Sequence, residues 1–168
     1  KFTRSHSGIF DVSHMGLLFI YGDDNLIEDL EKIFPLDLKN LKLNHSKYSF
    51  LMNDKAGIYD DLIVTKIDTG FLIILNAACK QNDFKILSKL LNNKYKMVLD
   101  EKRSLIAIQG PKSVQILNNI INGVEDLSFM SGNWFLFQEH KIYITRSGYT
   151  GEDGFEISLP NELAERFT

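Results

Sequence analysis

The chain has 168 residues, 44% hydrophobic and 24% charged, the balance of an ordinary globular protein and not of a disordered tail, a collagen-like fibre or a disulfide scaffold. A net charge of −3 and an isoelectric point near 5.8 leave no basic field to hold nucleic acid. Apolar runs such as Phe71–Leu75 fall far short of the roughly 20 residues that span a bilayer.

Alternation and helical spacing assign the elements in order. Gly16–Tyr21 reads as a strand ended by Gly22, and Leu26, Ile27, Leu30, Ile33 and Phe34 recur at helical spacing behind Asp23-Asp24 until Pro35 stops them. Tyr48–Met52, Leu62–Ile67 and Phe71–Leu75 read as strands, separated by turns at 53–57 and 68–70. A helix fits Asp83 to Leu91, followed by strands at Lys96–Leu99 and Leu105–Ile108. Gly110-Pro111 opens a third helix, with Pro111 expected at its first position. Trp134–Phe137 and Ile142–Thr145 form a hairpin around 138–141. Phe155–Leu159 is the last strand, and Pro160 leads into a helix that reaches the last residue. Strands sit beside strands while helices interrupt in pairs, so the expected class is α+β, built as two β-α-β-β-α-β-type, ferredoxin-like units. The expected division is 1–75 and 76–168.

Three segments could carry chemistry. In Arg146–Glu156 the glycines at 148, 151 and 154 precede a strand, whereas a dinucleotide fingerprint precedes a helix. The segment is therefore a tight β–β turn or a rigid loop presenting Tyr149 and Glu156 to a pocket. Period-2 geometry turns Glu156 away from the face shared by Phe155 and Ile157. Asp60 and Asp61 begin a strand and point in opposite directions, so either both are wet or one is enclosed. Asp11, Ser13 and His14 suggest a triad, but neighbours in an extended segment diverge, which leaves them a structural or pocket-lining role. His6, His14, His45 and His140 lack metal-ligand spacing, so no metal is expected. Cys79 stands alone and reads as a small buried hydrophobe at a helix start, in a reducing or redox-indifferent compartment. The first six residues show no cleavable signal, and because residue 1 is not Met a targeting segment is expected to be missing.

FDVSHMG (10–16), GIYDDLIVTK (57–66), LNAACKQND (75–83), IAIQGPKS (106–113) and SGYTGEDGFEIS (147–158) together resemble the glycine cleavage system T-protein, the aminomethyltransferase family, in order and approximate spacing. The family's proteins are roughly twice as long and arrange three domains around a folate pocket. The resemblance implies a fragment covering most of the first two, without the family's first strand and helix or its C-terminal β-rich domain. It implies transfer of a methylene carbon from an aminomethyl-dihydrolipoyl group on a lipoylated H-protein to tetrahydrofolate, with release of ammonia. By the same resemblance Asp61 is the catalytic acid, holding the reacting folate nitrogens with Asp60 as its turn-side neighbour. Tyr48 lines the pocket, Asn76 meets pterin edge atoms, Met15 lines the pocket by position, and Tyr149 and Glu156 hold the pterin. Asp61 and Glu156 are then expected on one hollow. Ala56 stands where the family carries a glycine. Related folate enzymes, a demethylase or the folate-handling half of a dimethylglycine or sarcosine dehydrogenase, are the alternative; a non-catalytic relative should have lost the carboxylate at 61. The implied location is the mitochondrial matrix, or the cytoplasm in a bacterium.

Overall fold

The computed structural model describes residues 1–168. In chain order it contains α1 (Phe2–Ser5), β1 (Gly8–Asp11), β2 (Gly16–Tyr21), α2 (Asp24–Glu31), β3 (Ser46–Met52), β4 (Ile58–Ile67), β5 (Gly70–Leu75), α3 (Lys80–Leu90), β6 (Lys96–Leu99), β7 (Arg103–Gln109), α4 (Ser113–Asn118), β8 (Gly132–Phe137), β9 (His140–Thr145), β10 (Gly154–Pro160) and α5 (Ala164–Phe167). The chain is α+β, with two five-stranded sheets. The pairings β1–β7, β2–β5, β2–β6, β3–β4, β4–β5, β7–β10, β8–β9 and β9–β10 are antiparallel.

The two units do not divide at residue 75. One is an inserted unit, Met15–Glu101; the other, a flanking unit, combines Lys1–His14 with Lys102–Thr168. Strand pairing is the reason. After β5 the chain passes through α3 and returns as β6 along β2, from Leu18↔Leu99 to Tyr21↔Lys96. The N-terminal β1 pairs instead with β7, from Gly8↔Gln109 to Asp11↔Ile106.

In the inserted unit the strand order is β3-β4-β5-β2-β6. With β3 set aside, this is the ferredoxin-like order, so β3 is one edge strand more than the expected β-α-β-β-α-β unit. The flanking unit runs β8-β9-β10-β7-β1. Position by position it repeats the same arrangement, with β1 in the place of β6. The duplication suggested by element order is thus present as topology.

Local chemistry explains the element ends. Asp23 caps α2, its carboxylate accepting the Asn25 amide at 3.1 Å. Leu26 and Leu30 drop from its apolar face into the core with Leu18, Ile20, Leu62, Val64 and Leu87; each such burial is worth about 1.5–3 kcal/mol. The helix α3 begins three residues before the expected start, because the Asn76 carbonyl accepts the amides of Cys79 and Lys80. Pro111 is not at the first position of α4. It lies in a turn before Ser113, where the Ser113 amide donates to the Gly110 carbonyl. The β8–β9 turn is also tighter than expected: Gln138 and Glu139 alone connect the strands, at φ 48° and 68°, the left-handed pair that suits a two-residue hairpin.

The turn between β3 and β4 holds one left-handed alanine. The Asn53 carboxamide accepts the amides of Lys55 and Gly57, each at 2.9 Å, and Ala56 is fixed at φ 60°. A Cβ in that region costs about 1–2 kcal/mol, partly offset by the greater unfolded-state freedom of glycine. Ala56→Gly is therefore expected to stabilise the protein by about 1 kcal/mol. Urea denaturation monitored by circular dichroism checks this; an unchanged or lower midpoint would show that the turn carries no such strain.

Candidate active site

Within the inserted unit, β4 carries the acid pair directly after an irregularity. The register skips Tyr59 between Met52↔Ile58 and Leu51↔Asp60, which leaves Ile58 and Tyr59 both exposed and sets the alternation of the residues that follow. Leu62 and Val64 face the helix-packed core, and period-2 geometry puts Asp60 on that same side. Asp61 faces the other side, where β3 presents Phe50 directly opposite and Tyr48 diagonally. The rings of Tyr48 and Phe50 meet edge to face at 5.3 Å. Tyr48 is 46% exposed. Partial desolvation, and then the neighbouring Asp61 carboxylate, push its phenol up from the ordinary value, so it stays a donor at neutral pH.

Asn76 joins the two acids. It follows β5, whose Leu75 pairs with Leu62, and its side-chain amide donates to Asp60 Oδ1 at 3.0 Å, to the Asp61 carbonyl at 3.0 Å and to Asp61 Oδ1 at 3.2 Å. Two N–H groups thus serve three acceptors. Asp60 is not a solvated, turn-side neighbour: its Oδ2 is buried and has no donor. Met15 is half-buried immediately before β2. Cys79 is half-buried rather than buried; desolvation, and then Asp60, push its thiol up, opposite to what an activated nucleophile needs.

The flanking unit positions Tyr149 and Glu156. Phe155 and Ile157 are fully buried in its core, and Glu156, paired with Ala107 and Thr145, faces away from them as alternation requires. Its Oε2 accepts the Ser147 hydroxyl at 2.6 Å. Burial pushes the carboxyl up and the Ser147 bond opposes this. The segment between β9 and β10 is a β–β connection held at its base. Gly148 and Gly151 take φ of 156° and 72°, and Arg146 clamps the loop base through a bidentate pair with Asp153, at 2.8 and 2.6 Å. That pair holds the Asp153 carboxyl below its usual range.

Gln109, 1% exposed, fills the inside of this loop. Its amide donates to the carbonyls of Ser147 and Phe155, and its Oε1 accepts the Thr150 hydroxyl at 2.9 Å. A Cβ at Gly148 or Gly154 would collide with it, so these glycines make room for Gln109 rather than for a phosphate. Tyr149, at the loop tip, is 66% exposed.

Asp11, Ser13 and His14 form no triad. The Asp11 carboxylate accepts the Ser13 amide at 2.9 Å, and the Ser13 hydroxyl accepts the Leu105 amide at 3.0 Å. The structure therefore gathers Tyr48, Asp61 and Asn76 in one unit and Tyr149 and Glu156 in the other. Sequence reasoning missed Gln109 and Asp83. Asp83 reads as an ordinary first-turn residue of α3 but is 1% exposed; the only hint was an acid on the apolar side of a helix.

The family model of the GCVT N-terminal domain matches residues 1–168. The chain belongs to that family. A probable mitochondrial aminomethyltransferase of Schizosaccharomyces pombe is 42% identical over 99% of this chain and 44% of its own length. An aminomethyltransferase of Caldanaerobacter subterraneus is 38% identical over 96% of this chain and 44% of its own length. Glycine cleavage system aminomethyltransferase T of Bartonella henselae superposes with a TM-score of 0.87 at 41% identity, over 98% of this chain and 45% of that one. The chain thus spans less than half the length of these relatives. A heterotetrameric sarcosine oxidase from Corynebacterium shares the fold, with a TM-score of 0.65 at 11% identity. In the structure no helix is long and apolar enough to cross a membrane.

Proposed function

We propose that this chain is the folate-binding part of an aminomethyltransferase of the glycine cleavage system. It takes the methylene carbon from an aminomethyl-dihydrolipoyl group on a lipoylated H-protein and gives it to tetrahydrofolate. In the reaction the C–N bond to ammonia and the C–S bond to the lipoyl arm break. Two C–N bonds to the folate form, and the two folate N–H protons leave with ammonia and the thiol. The observation that carries the reading is Asp61: an acid on the non-core face of β4, flanked by Tyr48 and Phe50, with Asn76 on its Oδ1. Its other oxygen serves the reacting folate nitrogens and stabilises the iminium-like cation that develops as ammonia departs. Met15 and Asn76 complete the surroundings.

Tyr149 and Glu156, in the flanking unit, are the proposed pterin contacts. Ser147 occupies only Oε2 of Glu156, so the carboxylate retains capacity to accept the paired N–H groups of a pterin edge. Tyr149 offers an apolar face with a polar tip. The location follows the source, as relatives from eukaryotes are named mitochondrial: mitochondrial matrix there, cytoplasm in a bacterium.

The direct test loads lipoylated H-protein with an aminomethyl group and measures methylene-tetrahydrofolate and ammonia formed by the full chain. Equimolar formation is expected; ammonia release that ignores tetrahydrofolate would overturn the reading. Glu156→Gln is expected to weaken tetrahydrofolate binding by about 1–3 kcal/mol, the worth of a charged acceptor. Equal affinity by calorimetric titration would remove Glu156 from the binding surface.

A further inference from the structure

Asp83 is a buried acid that the transfer reaction, as described, leaves unused. It sits in the first turn of α3, on the core side of the sheet, 1% exposed. Neither of its oxygens has a donor, and the same is true of Asp60 Oδ2. As two carboxylates, Asp60 and Asp83 would meet as acceptors only, and desolvation with like-charge repulsion favours keeping one proton between them. One proton resolves the conflict, because the neutral acid becomes an O–H donor to its partner.

Asp60 is not isolated from the reaction. Its Oδ1 accepts from the Asn76 amide that also grips the carbonyl and Oδ1 of Asp61. Asp83 bears on Asp60, and Asp60, Asn76 and Asp61 are joined by hydrogen bonds, so the four residues lead from the core side of the sheet to the acid on its other side. We propose that Asp83 is a positioning residue: as a neutral acid it donates to Asp60, and through the Asn76 carboxamide that pair fixes the orientation of the Asp61 carboxylate. The proposal deepens the aminomethyltransferase reading and rests on it for the role of Asp61.

Burial, and then Asp60, raise the Asp83 carboxyl to about 7, so the proton is in place below neutrality and is lost as pH rises through it. The other titratable groups facing the cluster are the Cys79 thiol at the start of α3, which senses Asp60, Asp83 and Asp61, and the Tyr48 phenol, which senses Asp61 and Asp60. Lys80 opens the same helical turn. Loss of the Asp83 proton puts a second negative charge behind Asp60, pulls the shared amide toward it and releases Asp61.

The test uses the full chain, wild type, Asp83→Asn and Asp83→Ala, in two measurements. In the first, carbon-13 resonances of the aspartate carboxyls are followed from about pH 4 to about pH 9. In wild type, the Asp61 resonance is expected to show an inflection that coincides with titration of Asp83. In Asp83→Asn, whose amide keeps a donor against Asp60 at every pH, that inflection disappears. In the second, kcat for methylene-folate formation is measured over the same range. Wild type should lose activity on the alkaline side with the Asp83 titration. Asp83→Asn should lack that limb and keep kcat within about threefold of the wild-type maximum. Asp83→Ala should fall about tenfold or more at all pH values, with the tetrahydrofolate KM little changed.

An Asp83 that titrates in the ordinary carboxylate range, an Asp61 curve unaltered in Asp83→Asn, or a kcat profile for that variant matching wild type would each overturn the proposal. Failure of the wild type to form methylene-folate at all would sink the aminomethyltransferase reading instead. The resonance measurement would still decide whether Asp83 and Asp61 are linked.

Discussion

Asp61→Asn is expected to reduce methylene-folate formation by on the order of 10²–10³-fold while tetrahydrofolate affinity stays within a few-fold of wild type. The asymmetry follows from the geometry. An asparagine at 61 has the same shape, and its Oδ1 can still accept the Asn76 amide, which the Asp61 carboxylate now holds at 3.2 Å. The backbone bond from the same amide to the residue 61 carbonyl, at 3.0 Å, is untouched. The β3–β4 register and the Tyr48–Phe50 pair beside the site are therefore preserved. What disappears is a negative charge at the point where positive charge develops, and that loss falls on the transition state rather than on the bound ground state. Single-turnover kinetics with loaded H-protein, paired with a folate titration, separate the two. Turnover within about threefold of wild type would show that Asp61 does not carry the electrostatic work.

The residues that sequence reasoning placed well are those whose position depends on short-range periodicity. Glu156 could be turned away from the core because Phe155 and Ile157 on either side are apolar, and both are fully buried in the same cluster. Asp60 and Asp61 could be assigned opposite faces for the same reason. The hairpin, the capped helix after Asp23 and the strand Lys96–Leu99 were legible because turn chemistry and apolar spacing agree there. Pairings between distant segments were not legible. The unit boundary was misplaced because β1 joins β7 across more than half the chain, and nothing in Gly8–Asp11 announces that partner. Gln109 falls just beyond the expected strand Leu105–Ile108, and its role depends on the carbonyls of Ser147 and Phe155, which only tertiary structure brings to it. Asp83 was hidden by a normal feature, since an acid in the first turn of a helix is favoured by the helix dipole. Its burial against Asp60 arises only when α3 packs on the sheet. Electrostatic conflict between residues from two elements leaves no mark on either element's pattern.

That conflict has a consequence for stability that is separate from catalysis. The Asp83 carboxyl is raised from 3.8 to about 7 in the fold, so between these values the native state holds a proton that the unfolded chain has lost. Stability therefore falls as pH rises through this window and levels off above it. At about 1.4 kcal/mol per unit, the full cost of the ionised acid is of the order of 4 kcal/mol. Asp83→Asn removes it, because the amide neither ionises nor leaves Asp60 without a donor. Other carboxyls act in the opposite sense: Arg146 lowers Asp153 and Ser13 lowers Asp11, and their stabilisation is lost as pH falls. The difference between variant and wild type cancels these shared contributions and isolates Asp83. Urea unfolding is expected to give nearly equal stabilities near pH 4, with an advantage for Asp83→Asn that grows to several kcal/mol by about pH 8 and then stays constant. A constant difference across the range, or a variant less stable at high pH than at low pH relative to wild type, would mean that Asp83 is ionised in the fold and that its burial is compensated by a charge partner.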